Sequence, residues 1–219
     1  LAELHTAIVG RTFTIVSLVN WTAAELKAVA LDPDMVATRY ALRELNPFVV
    51  LGADYSRFKL DLVNEFSGEG DLSANWIEDR ATMLAKVIQT NLADGSNTYV
   101  DTSLTSNWSF VDRSTGQVIH VDRTTNTPTE DLRRQIVFGT DTDNARTGGA
   151  DILTGGALAD RLYGMSGIDV LQGLGGNDHL EAGKDDDLLL GGTGDDILNG
   201  GSGYDSYVWT STPGHFGSS

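Results

Sequence analysis

The chain has 219 residues, no cysteine and a formal net charge of −16, with 31 acidic against 15 basic side chains. This excess of negative charge argues against nucleic acid and anionic membrane surfaces as partners, since both select patches of lysine and arginine. The lack of cysteine excludes disulfides and thiolate metal sites, and no apolar run approaches the ~20 residues of a membrane span. Cations are the partners that this composition favours.

The composition changes near Phe138. Residues 1–138 carry a net charge of −6 and 6 glycines, whereas residues 139–219 carry −10 and 19 glycines. We therefore predict an α-rich α+β domain over residues 1–137, a second region over 138–210, and a tail or cloning remnant over 211–219. The chain starts at Leu1 without a signal peptide, so we expect it to be part of a longer protein whose upstream domains are its partners.

The first elements are a strand and a helix. The β-branched, apolar run Arg11–Val19 predicts the strand. Thr22 and Glu25 have the spacing of a capping box and predict a helix over Ala23–Ala30.

Two further helices are predicted downstream. Asp32 as N-cap with Pro33 at the first helical position begins the second, which ends at Asn46-Pro47 and is followed by a short strand at Phe48–Leu51. Asn75 and Glu78 begin the third, which ends at Asp94-Gly95. Its apolar face is predicted to contain Trp76, Ile77, Met83, Leu84, Val87 and Ile88, and its charged, solvent-exposed face Glu78, Asp79 and Arg80.

A β-hairpin and a linker complete the first part. Asn107–Asp112 and Gln117–Asp122 alternate apolar and polar residues around the turn at 113–116. The polar segment Thr124–Glu130 then predicts a linker. No serine-hydrolase, zinc-protease or nucleotide-binding motif is present, so we predict a support or linker domain without catalytic residues.

From Gly155 onward the sequence is written in units of nine residues, beginning GGALADRLY, GMSGIDVLQ and GLGGNDHLE. Aspartate occupies the sixth place of every unit and of one unit upstream: Asp151, Asp160, Asp169, Asp178, Asp187, Asp196 and Asp205. An apolar residue occupies the eighth place: Leu153, Leu162, Leu171, Leu180, Leu189, Leu198 and Tyr207. Two columns kept over seven units predict a repeating, stacked structure.

Each unit supplies a glycine-rich turn and a short strand, so two units make one coil and every second unit stacks. The eighth-place side chains then form a thin apolar interior. Asp160, Asp178 and Asp196 are predicted along one outer edge, and the other four aspartates along the opposite edge. The roll therefore presents two acidic columns.

Carboxylates stacked about 4.8 Å apart repel unless a cation lies between them. Calcium takes 6–8 oxygen ligands, which aspartates and turn carbonyls supply, whereas zinc prefers histidine and cysteine. We therefore predict several calcium ions, with the seven sixth-place aspartates as ligands. The isolated His120 and His179 are predicted to be surface residues.

Some units depart from the pattern. Leu158 and Asp185 replace the fourth-place glycine and Ala182 the first-place glycine, so sites at these turns are predicted to be weak or empty. The segment 138–144 is similar to a degenerate entry repeat. The last unit is predicted to cap the roll with its large residues Tyr204, Tyr207, Val208 and Trp209.

Over residues 148–208 these units resemble the hemolysin-type (RTX) calcium-binding nonapeptide repeats of large secreted bacterial proteins. The resemblance implies an all-β parallel β-roll filled with calcium, type I secretion, and folding outside the cell. Two alternatives stay open for the parent protein: a secreted lipase or protease with upstream catalytic residues, and an adhesin or toxin in which the roll is a spacer.

Overall fold

The computed structural model describes residues 10, 12–56, 58, 60–63, 70–93, 97–125, 128, 132–141 and 149–209. The chain divides into two compact units, Leu1–Ser96 and Asn97–Ser219. The composition change near Phe138 falls within the second unit, at the end of a strand. The predicted helix end at Asp94-Gly95, much of the predicted linker and the predicted tail lie outside the described residues.

The first unit pairs a small sheet with helices. Strand β1 (Thr14–Ser17) lies antiparallel to β2 (Phe48–Leu51). Helix α1 (Ala23–Ala30) begins with the predicted capping box, in which the Thr22 side chain accepts from the Glu25 N–H and Glu25 accepts from the Thr22 N–H. No helix in the described part of the chain combines the length and apolarity needed to cross a membrane.

Two predicted helix starts were wrong. Helix α2 spans Val36–Arg43 and has Met35 as its N-cap, while Asp32 closes the preceding turn by accepting from the Asp34 N–H. Aspartate and proline suit such a turn as well as a helix start, which is why the pattern misled. Helix α3 spans Ala74–Ala93, and the Ser73 hydroxyl oxygen, rather than Asn75, accepts from its first turn.

The predicted apolar face of α3 is confirmed, since its six residues are all buried. The predicted charged face was wrong, because Asp79 and Arg80 are buried as well. Arg80 donates to the carbonyls of Leu42 and Arg43, so its guanidinium binds the carbonyl end of α2. The Arg80 charge is therefore hydrogen-bonded within the first unit.

The second unit begins with β3 (Thr98–Val100) and the predicted hairpin, β4 (Asn107–Asp112) with β5 (Val118–Asp122). Strand β6 (Arg133–Phe138) pairs parallel to both β4 and β8 (Arg161–Ser166), so it joins the hairpin to the repeats. The resulting seven-stranded sheet has the order β12-β10-β8-β6-β4-β5-β3, with β10 at His179–Lys184 and β12 at Ile197–Ser202.

The alternate units form a second, four-stranded sheet in the order β13-β11-β9-β7. Its strands are β7 (Ile152–Thr154), β9 (Val170–Gly175), β11 (Leu188–Thr193) and β13 (Ser206–Val208). All pairs between repeats are parallel and 18 residues apart, as in Leu180 with Leu198 and Leu171 with Leu189. The predicted class, an α+β N-terminal region followed by a parallel β-roll, is confirmed.

The eighth-place column is the interior of the roll. Leu153, Leu162, Leu171, Leu180 and Leu189 are fully buried, and Val137 of β6 continues their cluster. The column weakens at the far end, where Leu198 is partly buried and Tyr207 is 45% exposed. The last unit is not a closed cap, since Tyr204, Val208 and Trp209 are also exposed, but the Tyr207 hydroxyl oxygen accepts from the Gly200 N–H.

Candidate metal centre

The structure brings the sixth-place aspartates together in two columns. Within each column, the backbone N–H of one aspartate donates to Oδ1 of the aspartate 18 residues later. The N···O distances lie between 2.7 and 3.1 Å for Asp151–Asp169, Asp160–Asp178, Asp169–Asp187, Asp178–Asp196 and Asp187–Asp205. One column contains Asp160, Asp178 and Asp196, and the other contains Asp151, Asp169, Asp187 and Asp205.

The aspartate columns are more buried than their predicted position along the outer edges of the roll implies. Asp160, Asp169, Asp178 and Asp187 are each at most 3% exposed. Their burial has a local cause: Oδ1 takes part in the backbone ladder, and in the units of Asp160, Asp169 and Asp178 Oδ2 lies against the first-place glycine. Gly173 is an example, because a Cβ built there would lie 2.3 Å from Asp178 Oδ2. The unit of Asp187 has Ala182 at its first place.

In the part of the chain that the structure describes, three carboxylate oxygens are buried without a hydrogen-bond partner: Oδ2 of Asp169, Asp178 and Asp187. Burial raises the pKa of Asp169 to about 8, with added repulsion from Asp187, Asp151 and Asp185. Burial is also the main cause that raises the pKa of Asp178 and of Asp187 to about 7. Repulsion from Asp160 and Asp196 contributes at Asp178, and repulsion from Asp205, Asp185 and Asp186 contributes at Asp187. A buried, charged oxygen without a partner is costly, so these atoms mark where a cation would be favoured.

The turns before these aspartates share a backbone conformation. The residues at the second and fourth places have a left-handed backbone conformation, with positive φ, in the units that begin at residues 164, 173, 182, 191 and 200. Three of these positions carry a side chain: Met165 with φ 82°, Leu174 with φ 74° and Asp185 with φ 78°. The Asp185 turn therefore keeps the shape that its missing glycine put in doubt, and sequence reasoning had overlooked the second-place departures at Met165 and Leu174.

The turn from Gly155 to Asp160 is different. None of its residues has a positive φ, in contrast to the five later turns. Both oxygens of Asp160 have protein partners, since Oδ1 accepts from the Gln135 N–H at 2.6 Å and Oδ2 from the Gly156 N–H. Leu158 occupies the fourth place here, so this is the one predicted weak turn whose backbone departs from the pattern.

Oxygen donors for a metal are carboxylates and turn carbonyls. Within the described residues, no three acidic or histidine side chains converge on one point. Each turn instead offers one aspartate together with the carbonyls of its left-handed places. These are the hard oxygen ligands that calcium prefers, so the residues present fit calcium ions better than a transition metal.

A second polar column lies at the fifth place. The Asp195 N–H donates to Asn177 Oδ1 at 3.1 Å, and the Tyr204 N–H donates to Asp186 Oδ1 at 2.8 Å. Sequence reasoning did not find this ladder, because the fifth place varies in residue type. His179 lies outside both columns and its Nε2 is 2.6 Å from Glu181 Oε1.

The comparison with protein families identifies the repeats. The model described as RTX calcium-binding nonapeptide repeat (4 copies) matches residues 147–171, 154–189 and 172–207. Residues 147–207 are therefore RTX calcium-binding repeats, which supports the resemblance drawn from the sequence. Neither the comparison with curated proteins nor that with solved structures finds a match.

Proposed function

We propose that this chain, whose residues 147–207 are RTX repeats, is a calcium-dependent folding module of a larger secreted protein. The observation that carries the proposal is the set of buried, unpartnered Oδ2 atoms of Asp169, Asp178 and Asp187. The proposed ligands are these three aspartates, the remaining sixth-place aspartates with a free oxygen, and carbonyls of the adjoining turns.

The physical argument concerns the metal-free roll. A buried ion that lacks a partner destabilises a protein by several kcal/mol, of order 3–5 when a partner is removed. Three such carboxylates are stacked along an interior that is only one leucine wide, so apolar burial offers little to offset them. A bound calcium ion supplies the missing charge, and any ligand that binds only the folded state stabilises that state.

Coupled folding and binding suits a protein that is exported before it folds. Extracellular calcium modules have Kd values of roughly 10⁻⁴ to 10⁻³ M, far above cytosolic calcium. With sites of this strength, the repeats would stay unfolded inside the cell and fold outside it. We infer type I secretion and an extracellular location from the same reasoning and from the family of the repeats.

The test is a calcium titration of the full chain, followed by far-UV circular dichroism and calorimetry, with magnesium as the matched ion. We expect the strand signal to increase with calcium and not with magnesium. Asp178→Asn should raise the calcium midpoint about tenfold, which corresponds to ~1.4 kcal/mol.

Asp195→Asn is the matched control, because it removes the same charge from an exposed fifth-place residue. Its midpoint should stay within about twofold of the parent value. A strand signal that is equally strong in excess chelator would overturn the proposal.

A further inference from the structure

We propose that the entry of the roll folds without calcium and acts as a template on which the calcium-dependent coils are added. The entry consists of β3 to β6, together with the Gly155–Asp160 turn and the first residues of β8. This inference rests on the proposed function, because it divides the repeats into a metal-independent and a metal-dependent part.

The first argument is that the entry satisfies its own carboxylates. Asp160 accepts from Gln135 and Gly156. Asp151, which directly precedes β7, is satisfied by the entry too, because its Oδ2 accepts from the N–H of Thr140 just after β6 at 2.6 Å. Gln135 occupies the place of a sixth-place aspartate, so its backbone N–H serves the ladder without adding a charge. In the later coils, by contrast, Asp169, Asp178 and Asp187 each keep a buried oxygen without a partner.

The backbone of the first turn gives a second argument. In the later turns, left-handed residues at the second and fourth places set the direction of the neighbouring carbonyls. The Gly155–Asp160 turn contains no such residue, and Leu158 occupies the fourth place. Its carbonyls therefore do not repeat the arrangement of the other turns, and we assign no calcium ion to it.

The entry also has a buried apolar face. Phe110, Ile119, Val121, Ile136 and Phe138 are each at most 2% exposed, and the Phe138 and Tyr163 rings stack with centroids 5.3 Å apart. Three or more strands with such an apolar face meet the requirement for independent stability, which a single hairpin does not. The apolar interior of the later coils is thinner than this face, because it is only one leucine wide.

Buried charge at the entry is paired as well. The Arg133 guanidinium donates to both carboxylate oxygens of Asp122, at 2.9 and 2.8 Å, and both side chains are at most 3% exposed. Asp112 accepts from the Ser114 N–H and from the hydroxyl groups of Ser114 and Thr115. These buried carboxylates of the entry therefore have partners, whereas Oδ2 of Asp169, Asp178 and Asp187 in the later coils has none.

Repeat proteins add units by contact with a folded neighbour, so an entry that is already folded directs folding from the N-terminal end of the roll. Strand β6 presents the edge on which β8 forms, and Val137 opposes Leu162 at the start of the leucine column. Calcium then acts on the coils from Asp169 onward.

Hydrogen exchange with mass spectrometry on the full chain tests this order. In chelator we expect peptides from β4, β5 and β6 to stay protected while those from β11 and β12 exchange freely, and calcium should protect the latter. If β4 to β6 exchange as fast as β11 and β12 in chelator, the inference is wrong although the proposed function stands. If calcium protects none of these peptides, the proposed function itself fails.

Counting bound ions by equilibrium dialysis gives an independent measurement. Asp160→Asn should leave the number of calcium ions per chain unchanged, whereas Asp178→Asn should lower it by at least one. Exchange in β4 to β6, which lie in the same unit as both aspartates, checks that the entry of each variant is folded. Loss of an ion from Asp160→Asn would overturn the assignment.

Discussion

The two oxygens of each repeat aspartate have different surroundings, and the first-place glycine is the cause. A Cβ on Gly173 would lie 2.3 Å from Asp178 Oδ2 and 2.4 Å from the Gly191 carbonyl oxygen. Gly173 is not among the residues with positive φ, so it is required for space and not for a left-handed backbone. Units with a first-place glycine therefore use glycine for two separate reasons, close approach at the first place and conformation at the second and fourth, whereas the unit of Asp187 has Ala182 at its first place.

Gly173→Ala is expected to weaken calcium binding. The new methyl group has to displace the Asp178 carboxylate or the adjacent coil, and such overpacking costs about 1–3 kcal/mol. A calorimetric titration should show the calcium midpoint raised about tenfold or more.

Gly156→Ala provides the control. The nearest atom to its added methyl group would be 3.7 Å away, and its φ is not left-handed, so the substitution should leave the midpoint almost unchanged. Equal shifts for the two variants would contradict the role of space at the first place.

At the scale of elements, the turns show where the sequence works against the fold. Leu174 has a φ of 74° and is 52% exposed, so it pays a steric cost without much apolar burial. The strand that contains it pairs in register with β11, where Gly192 stands opposite. The sheet thus holds Leu174 in a conformation that its side chain disfavours.

Leu174→Gly is therefore expected to stabilise the calcium-bound protein. Relief of the left-handed strain is worth about 1–2 kcal/mol, which exceeds the roughly 0.5–1 kcal/mol that glycine costs by adding freedom to the unfolded chain. Denaturation by urea in saturating calcium should show a higher free energy of unfolding.

Leu158→Gly is the matched change in a turn without left-handed residues. It should instead destabilise by about 0.5–1 kcal/mol, because glycine only adds freedom to the unfolded chain there. A stabilised Leu158→Gly, or a destabilised Leu174→Gly, would argue against strain as the cause.

Local signals explain which elements the sequence could predict. The Thr22–Glu25 capping box and the alternation of β4 and β5 are complete within a few residues, so both were correctly predicted. Arg80 was placed on the wrong face of α3 because its partners, the carbonyls of Leu42 and Arg43, lie far away in sequence. Asp32 fits a turn and a helix start equally well, and only the folded chain distinguishes them.

At the scale of the molecule, the nine-residue periodicity made the roll predictable. The pairing of the entry with the roll was not predicted, because β6 lacks this periodicity. The columns of aspartate and leucine predicted the pairing 18 residues apart, as in Leu162 with Leu180. Strand β6 carries Gln135 and Val137 at the corresponding places, so it has no repeat signature although it pairs with β8. Burial of the carboxylates could not be predicted either, because it depends on how close the coils approach.

The buried columns predict that the metal-free roll depends on pH. Burial raises the pKa of Asp160 to about 6, of Asp178 and Asp187 to about 7, and of Asp169 to about 8. A raised pKa in the folded state means that the folded roll binds protons more tightly than the unfolded chain. This contribution to stability is complete below about pH 4, the ordinary range of aspartate, and is lost as the pH rises through 6 to 8.

In chelator, the roll is thus expected to be more folded at pH 5.5 than at pH 8.5, as judged by far-UV circular dichroism. Calcium competes with these protons for the same oxygens, so its affinity should rise with pH and its binding should release protons. Asp169→Asn removes a titrating group and should flatten the pH dependence, whereas Asp195→Asn, which changes the same charge at the surface, should not. If both variants flatten the pH dependence equally, net charge and not burial is its cause. The comparison separates the two causes because Asp169 is buried and Asp195 is exposed.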